Sequence, residues 1–376
     1  MLRALLDKFW DEEIWLPPNT TWEDIEPGPD KAVVYADYRH LLYPLPLALV
    51  LIVLRHVLEK YWFAPFGKSL GIKNTRPKKA PNNPKLEAAY QAQPKIKHKQ
   101  FYLSKEEICA LAKKLDMTER QVERWWRLRR SQEKPSTLVK FCENAWRCTF
   151  YLYNFSYGLF ILWDKEWLWD IDQCYIGYPH QGLTSDVWWY YMISSAFYWA
   201  LTMSQFWDVR RKDFWQMFVH HFATIALLSF SWVCNLHRIG TLMLLLHDCA
   251  DIFLEAAKAA KYASYQKLCD SVFAVFTVLW IITRLGFYPF YIIWSTSIRA
   301  PMLLPMFAAY YIFNSLLILL LALHMMWTWL ILQVVYKSIN AGLMEGDIRS
   351  SSSEISDSSH HSNHSTPNRV NHKKNT

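Results

Sequence analysis

Residues 214–258 read FWQMFVHHFATIALLSFSWVCNLHRIGTLMLLLHDCADIFLEAAK, and this stretch sets the class of fold. It contains two apolar segments, 214–233 and 239–254, that approach the length of about 20 residues needed to cross a bilayer core of roughly 30 Å. The second segment carries His247, Asp248 and Asp251, which lower its hydropathy, but its short polar flanks leave it little alternative to spanning. We therefore predict two consecutive membrane helices with ionisable side chains inside the bilayer.

The same apolar pattern recurs along the 376 residues, of which 52% are hydrophobic and 20% charged. The charged residues concentrate in the first third of the chain, in short loops and in the tail. Seven cysteines without a close CxxC pair indicate neither a disulfide framework nor a four-ligand zinc site. We predict an all-α, polytopic membrane protein with about seven transmembrane helices. The predicted spans are 41–58, 140–163, 187–207, 214–233, 239–254, 268–294 and 302–336.

Basic loops indicate the orientation of these spans, because loops rich in Lys and Arg stay on the cytosolic side. The loops that hold 210–212 and 258–267 are basic, whereas the loop 164–186 is acidic. This alternation predicts a lumenal N-terminal segment (1–40), a first span (41–60) that acts as an uncleaved signal anchor, and a cytosolic C-terminus. Asn19 begins an Asn-Thr-Thr glycosylation sequon in the segment predicted to be lumenal.

Residues 67–134 are predicted to form a cytosolic insertion that begins as a basic, Pro-rich linker and continues as two helices. Ser104 and Thr118 each start a capping box. The pair resembles the second and third helices of a homeodomain, with WWRLRR at 125–130 in place of the family's recognition sequence; no well-defined first helix is predicted. Leu128 replaces the adenine-reading asparagine, so we expect no specific DNA binding. Contact with anionic membrane lipid, or packing on the membrane helices, better explains Arg124, Arg127, Arg129, Arg130 and Lys134.

Residues 341–376 are rich in Ser, His and Asn, which predicts a disordered cytosolic tail. Ser351, with Glu354 three residues later, is a candidate phosphorylation site for an acidophilic kinase.

Ionisable side chains inside a membrane span are costly and mark a candidate site. His220 and His221 lie about 9 Å from the cytosolic end of the fourth predicted span, and Asp248 and Asp251 reach a similar depth on the fifth. Adjacent histidines point about 100° apart on a helix, so only one of them can address a given substrate atom well. The candidate catalytic residues are His220, His221, Asp248 and Asp251, with His247 and Glu255 in support.

Two other interpretations of these residues stay open. A polar network can simply hold membrane helices together. A di-iron or zinc centre needs several histidine boxes on different helices, whereas this chain has one His-His pair beside isolated His237, His247 and His324. We therefore predict no metal site.

Several blocks of the chain together resemble the Lag1 motif of the ceramide synthases, within a TLC domain at 135–340. They are HHF at 220–222, RIGTL at 238–242, HDCAD at 247–251 and LEAAK at 254–258, flanked by RKDF at 211–214 and RLGFYPF at 284–290. The homeodomain-like insertion agrees with this resemblance.

The resemblance implies transfer of a fatty acyl group from acyl-CoA to the amine of a sphingoid base in the endoplasmic reticulum membrane. Acyl-CoA is then a co-substrate and no cofactor is needed, and a homodimer or a heterodimer with related synthases is expected. A non-enzymatic TLC-type protein, translocon-associated or lipid-sensing, is the alternative. A membrane-tethered transcription factor is a third, which Leu128 argues against.

The residues leave two mechanisms open, a histidine general base or an acyl-histidine intermediate. Arg284 is predicted to be buried against Asp251 or Asp248. The connection 295–306 is where the resemblance places control of acyl-chain length. Candidates for the CoA phosphates are Arg210, Arg211, Lys212, Lys258 and Lys261, although the cytosolic bias of basic residues explains these five equally well.

Overall fold

A computed structural model of the chain describes residues 7–28, 31, 33–72, 79–92, 104–132, 135–209 and 211–341. Within these ranges the secondary structure is helical throughout and contains no strand, which confirms the all-α prediction. Arg210, Lys134, Ser351 and the tail after residue 341 lie outside the described residues.

Fifteen α-helices are described. They are α1 (Glu12–Trp15), α2 (Trp22–Ile25), α3 (Pro44–Leu58), α4 (Ala64–Ser69), α5 (Pro84–Ala92), α6 (Lys105–Leu115), α7 (Glu119–Ser131), α8 (Thr137–Leu162), α9 (Glu166–Trp169), α10 (Ser185–Ser204), α11 (Phe214–Val233), α12 (His237–Tyr262), α13 (Gln266–Trp280), α14 (Ala300–Leu303) and α15 (Ala309–Ala341). Short 3₁₀ segments occupy Tyr38–Leu42 and Ile171–Cys174, and π-helical segments occupy Glu59–Phe63, Ile281–Ile293 and Ser295–Arg299.

Three continuous helices are long and apolar enough to cross a membrane by length and composition: Tyr38–Ser69, Gln266–Leu303 and Ala309–Asn340. They coincide with the first, sixth and seventh predicted spans. The other four predicted spans also fall on helices, α8, α10, α11 and α12, whose polar and aromatic residues lower their mean hydropathy. The chain is therefore a helical membrane protein, and seven crossings stay a prediction.

Helix α12 is the centre of the bundle and packs most extensively against α8 and α13. Close approach to α10 depends on small residues, because a Cβ atom added at Gly240 would overlap the Tyr191 hydroxyl and one at Gly158 would lie 2.5 Å from the Tyr190 hydroxyl. Tyr190 and Tyr191 are fully buried in the main apolar core. This packing fixes the direction in which each polar side chain of α12 points.

The sixth span changes from α-helix to π-helix at Ile281 and contains Pro289. Proline has no N–H to donate within the helix, and wider turns are a common way to accommodate such a break. Arg284 lies at the start of this widened segment, facing α12.

The insertion predicted between the first and second spans contains three helices, α5 to α7, around Leu86, Val122, Trp125 and Trp126. Our prediction that a well-defined first helix is missing was wrong. Helix α5 buries Leu86 completely, and its Glu87 accepts hydrogen bonds of 2.8 and 2.9 Å from Arg129 of α7. The sequence PKLEAAYQA has too little apolar periodicity to reveal this helix without its partners.

Candidate active site

Three histidines from three helices meet in the bundle beside Arg284. His324 of α15 has its ring centre 5.2 Å from that of His247 on α12 and 6.3 Å from that of His220 on α11. Aromatic rings surround the group, with Tyr288 at 5.0 Å from His324 and Trp327 at 5.4 Å from His220. We call His220, His247, His324 and Arg284 the histidine–arginine cluster.

Nitrogen atoms of all three histidines lack partners among the described residues. The three atoms are Nδ1 of His220, Nε2 of His247 and Nδ1 of His324, and all of them are buried. Nδ1 of His247 lies 2.7 Å from the carbonyl oxygen of Met243 and, because a carbonyl only accepts, it carries the proton. In the neutral ring, Nε2 of His247 then holds a free lone pair that can accept a proton from a substrate.

Arg284 brings the positive charge of the cluster. Its Nη2 donates to the backbone oxygen of His247 at 2.7 Å and pairs with Asp251 Oδ2 at 3.1 Å, so the predicted pairing with Asp251 is present. The guanidinium also lies over the ring of Trp280 at 5.2 Å. Its Nε and Nη1 atoms have no partner within the described ranges. These two N–H groups are free to donate to a substrate oxygen.

His221 and Asp248 are held by partners outside the cluster. His221 donates from Nδ1 to Gln205 Oε1 at 3.2 Å, and Asn154 donates to Asp248 Oδ2 at 2.6 Å. The His221 ring nevertheless lies 5.8 Å from the ring of His220. The Gln205 side chain holds His221, and Asp251 is paired with Arg284.

A second polar group lies at the end of α12 nearest residue 262, and Glu255 belongs to it rather than to the cluster. Glu255 pairs with Lys258 at 2.7 Å, and Arg211 lies 3.7 Å from Glu143. Two of the CoA-phosphate candidates are thus already matched with carboxylates. Lys212 is exposed and Lys261 is half-buried.

Asp208 links this group to the first long helix. Arg55 of α3 donates to both carboxylate oxygens of Asp208 at 2.9 and 2.7 Å, and Arg147 of α8 reaches Asp208 at 3.1 Å. Burial acts to raise the pKa of Asp208, but the two arginines outweigh it and hold that pKa below its usual range. The carboxylate is therefore charged at neutral pH and ties α3 to the bundle.

An apolar cavity of about 110 Å³ opens beside the cluster. His247 and Tyr198 line one end, and Leu236, Phe307 and Phe313 line the other. From His247 to Leu236 the cavity follows α12 for about 16 Å at 1.5 Å per residue. Its walls match an alkyl chain, with a histidine at the head.

His324 and Tyr288 are the members of this site that sequence reasoning missed. His324 is the only His, Lys, Arg, Asp or Glu residue of the segment 302–336. An ionisable side chain in so apolar a span is the signal that could have identified it. Among the described residues no group of three or more His, Cys, Asp or Glu side chains is placed to hold a metal ion, and the absence of a metal stays a prediction.

Comparisons with known proteins agree with this architecture. A family model described as the TLC domain matches residues 140–333, and a homeodomain model matches residues 83–135. The chain is 42% identical to ceramide synthase 5 of Homo sapiens over 359 residues, which are 95% of this chain and 90% of that protein. It is 40% identical to ceramide synthase 3 of Homo sapiens over 331 residues, 88% and 84% of the two chains. It is 32% identical to ceramide synthase hyl-1 of Caenorhabditis elegans over 357 residues, 92% and 84% of the two chains.

The helical bundle and its buried histidines thus define a TLC-domain membrane protein with a homeodomain-like insertion. The full-length similarity goes further, and the chain belongs to the ceramide synthase family.

Proposed function

We propose that this protein transfers a fatty acyl group from acyl-CoA to the amine of a sphingoid base, giving ceramide or dihydroceramide and free CoA. The observation that carries this proposal is the histidine–arginine cluster at the head of an apolar cavity. The acyl chain enters the cavity, and its thioester carbonyl stays beside the cluster. Membership of the ceramide synthase family supports the same reaction.

In this reaction the amine nitrogen bonds to the thioester carbon, the carbon–sulfur bond breaks, and the amine loses a proton. An unpartnered imidazole nitrogen of the cluster accepts that proton and passes it to the departing CoA sulfur. Nε and Nη1 of Arg284 are buried donors suited to the negative charge that develops on the carbonyl oxygen. His220, His247 and His324 are the candidates for the base, and His221 with Asp248 supports the neighbouring helices.

An acyl-histidine intermediate is the competing mechanism. There the imidazole attacks the thioester first, CoA leaves, and the amine then resolves the acyl-imidazole. Mass spectrometry of purified protein given acyl-CoA alone separates the two mechanisms, because only this one adds an acyl mass to a histidine peptide.

We place the protein in the endoplasmic reticulum membrane with seven spans, a lumenal N-terminus and a cytosolic C-terminus. The cluster then lies just below the cytosolic surface, so that the CoA head stays in water. Of the basic candidates, we propose Lys212 for the phosphates because its side chain is exposed. Dimerisation with itself or with related synthases is proposed from the family resemblance.

The homeodomain-like insertion is proposed to contact anionic lipid or the bundle rather than specific DNA. Leu128 offers no hydrogen bond to a base, and Arg129 is engaged with Glu87.

The test is an N-acylation assay on membranes from cells that lack their own activity, with sphinganine and a series of acyl-CoA donors. Product that depends on His220 supports the proposal. Absence of product with every donor, from protein that is inserted and folded, contradicts it and favours the non-enzymatic alternative.

A further inference from the structure

The N-terminal segment folds against the end of the cavity that lies farthest from His247. Trp15, at the end of α1, is fully buried in a cluster with Cys234 and Ala309, which we call the Trp15 cluster. Its ring centre is 4.8 Å from that of Phe230 near the end of α11. Trp15, from a segment predicted to lie outside the membrane spans, is thus buried against α11 and α15.

The Trp15 cluster and the cavity share a wall. Leu236, Phe307 and Phe313 pack against the cluster and also line the cavity. These side chains are common to the surroundings of Trp15 and to the space that we assign to the acyl chain. A change in the size of Trp15 therefore alters how far the three wall residues can retreat.

Hydrogen bonds hold the N-terminal segment in this position. The indole N–H of Trp15 donates to the carbonyl oxygen of Phe9 at 2.5 Å, and the backbone N–H of Trp22 donates to Glu12 Oε1 at 2.9 Å. Further along, Trp232 of α11 donates from its indole to the carbonyl oxygen of Asp37 at 2.8 Å. The first two bonds brace the N-terminal segment internally, and the third ties it to α11.

We propose that Trp15 is a positioning residue for acyl-chain selection: it supports the wall that closes the cavity and so limits the length of the accepted chain. This inference rests on the proposed N-acyltransferase activity. It adds the N-terminal segment to the connection 295–306 as a determinant of chain length.

The experiment offers membranes a mixture of acyl-CoA donors that differ by two carbons and measures the product ratio by mass spectrometry. Trp15→Ala is expected to raise the ratio of longer to shorter products by about tenfold or more. One or two methylene groups in an apolar pocket change the preference between two substrates by about that factor. Trp15→Phe is expected to give a smaller shift in the same direction. Trp169→Ala is the matched control, because Trp169 is exposed and belongs neither to the Trp15 cluster nor to the residues that line the cavity.

A general loss of stability lowers the amounts of all products together, whereas a change in the cavity wall alters their ratio. The product ratio therefore distinguishes the two effects. If Trp15→Ala does not accumulate, Trp15→Phe carries the test. An unchanged ratio in the accumulating Trp15 variants overturns the inference while leaving the proposed activity intact. An inactive but folded wild type instead removes the proposed function.

Discussion

His324 illustrates how a single imidazole can be held ready for proton transfer in a membrane. Its ring is enclosed by His247, Tyr288 and Trp280, and its Nδ1 finds no partner among the described residues. A buried polar atom without a partner costs free energy, which a protein tolerates where the atom serves a substrate. His220 and His247 carry nitrogen atoms in the same condition.

His324→Ala and His220→Ala are each expected to lower the rate of N-acylation by a factor of about 100 or more, as typical for loss of a general base. His180→Ala is the matched control, because His180 is exposed on the loop between α9 and α10. Rates are measured at equal amounts of folded protein. Wild-type turnover in both cluster variants would remove these histidines from the reaction.

Arg284→Ala is expected to reduce N-acylation about 100-fold or more, since loss of one oxyanion donor has an effect of that order. It should also lower the thermal midpoint, because Asp251 then loses its cation. Arg284→Lys keeps the charge but not the fork of N–H donors, and we expect recovered stability with little recovered activity. Normal turnover and a normal midpoint in Arg284→Ala would show that the ion pair has no role in either property.

Two of the helices that carry the candidate site, α11 and α12, could be predicted from sequence, but the full set of side chains that meet there could not. A rise of 1.5 Å per residue places His220, His221, Asp248 and Asp251 at one level. The side to which each side chain turns depends on neighbours far away in sequence, such as Gln205 for His221 and Asn154 for Asp248. His324 joins the site only because α15 packs beside α11, a contact that no local pattern encodes.

Among the helices, α3 is joined to the TLC bundle by a buried ion pair as well as by apolar packing. Arg55 and Asp208 have side chains that are 11% and 7% exposed, so water screens their attraction weakly. Helix α3 packs mainly on α10, and the pair lies at one end of that contact. This arrangement fixes the first span against the helices that carry the site.

Asp208→Asn is expected to destabilise the protein by about 2 kcal/mol, because it removes a charged hydrogen-bond acceptor that Arg55 and Arg147 share. Each arginine keeps one carboxylate partner, Glu59 for Arg55 and Glu143 for Arg147. The measurement is the thermal midpoint in detergent, with Asp164→Asn as the control, since Asp164 is 74% exposed in its contact with Lys165. The pKa of Asp208 is lowered in the folded protein. The stabilisation is therefore complete above the ordinary aspartate pKa of about 3.9 and is lost as pH falls through the lower native value. Equal midpoints for wild type and Asp208→Asn at neutral pH would contradict the pairing.

The elements themselves were predicted well where apolar runs are long and poorly where they are short. Capping boxes at Ser104 and Thr118 correctly mark the starts of α6 and α7. Helix α5 was missed because it buries one side chain, Leu86, and depends on α7 for the rest. The π-helical segment that begins at Ile281 was missed because an apolar run such as 281–293 does not distinguish a π-helix from an α-helix.

The whole molecule combines an acyl-binding bundle with two additions, the N-terminal segment and the homeodomain-like insertion. An odd number of crossings places the ends of the chain on opposite sides of the membrane. In that topology the cavity extends toward the lumen, where the wall supported by Trp15 closes it, and the histidine–arginine cluster lies toward the cytosol, where acyl-CoA is supplied. The proposed mechanism therefore depends on the predicted orientation.

The orientation can be tested at Asn19, which is exposed in the segment between α1 and α2. If this segment is lumenal, wild-type protein should carry an N-linked glycan that an endoglycosidase removes, and Asn19→Gln should migrate like the digested wild type. Asn83→Gln is the control, because Asn83 belongs to the insertion that is predicted to be cytosolic and does not begin a sequon. A glycan that persists in Asn19→Gln, or protease protection of the insertion in sealed microsomes, would reverse the orientation. The cluster would then face the lumen, away from acyl-CoA, and the proposed route of substrate entry would be wrong.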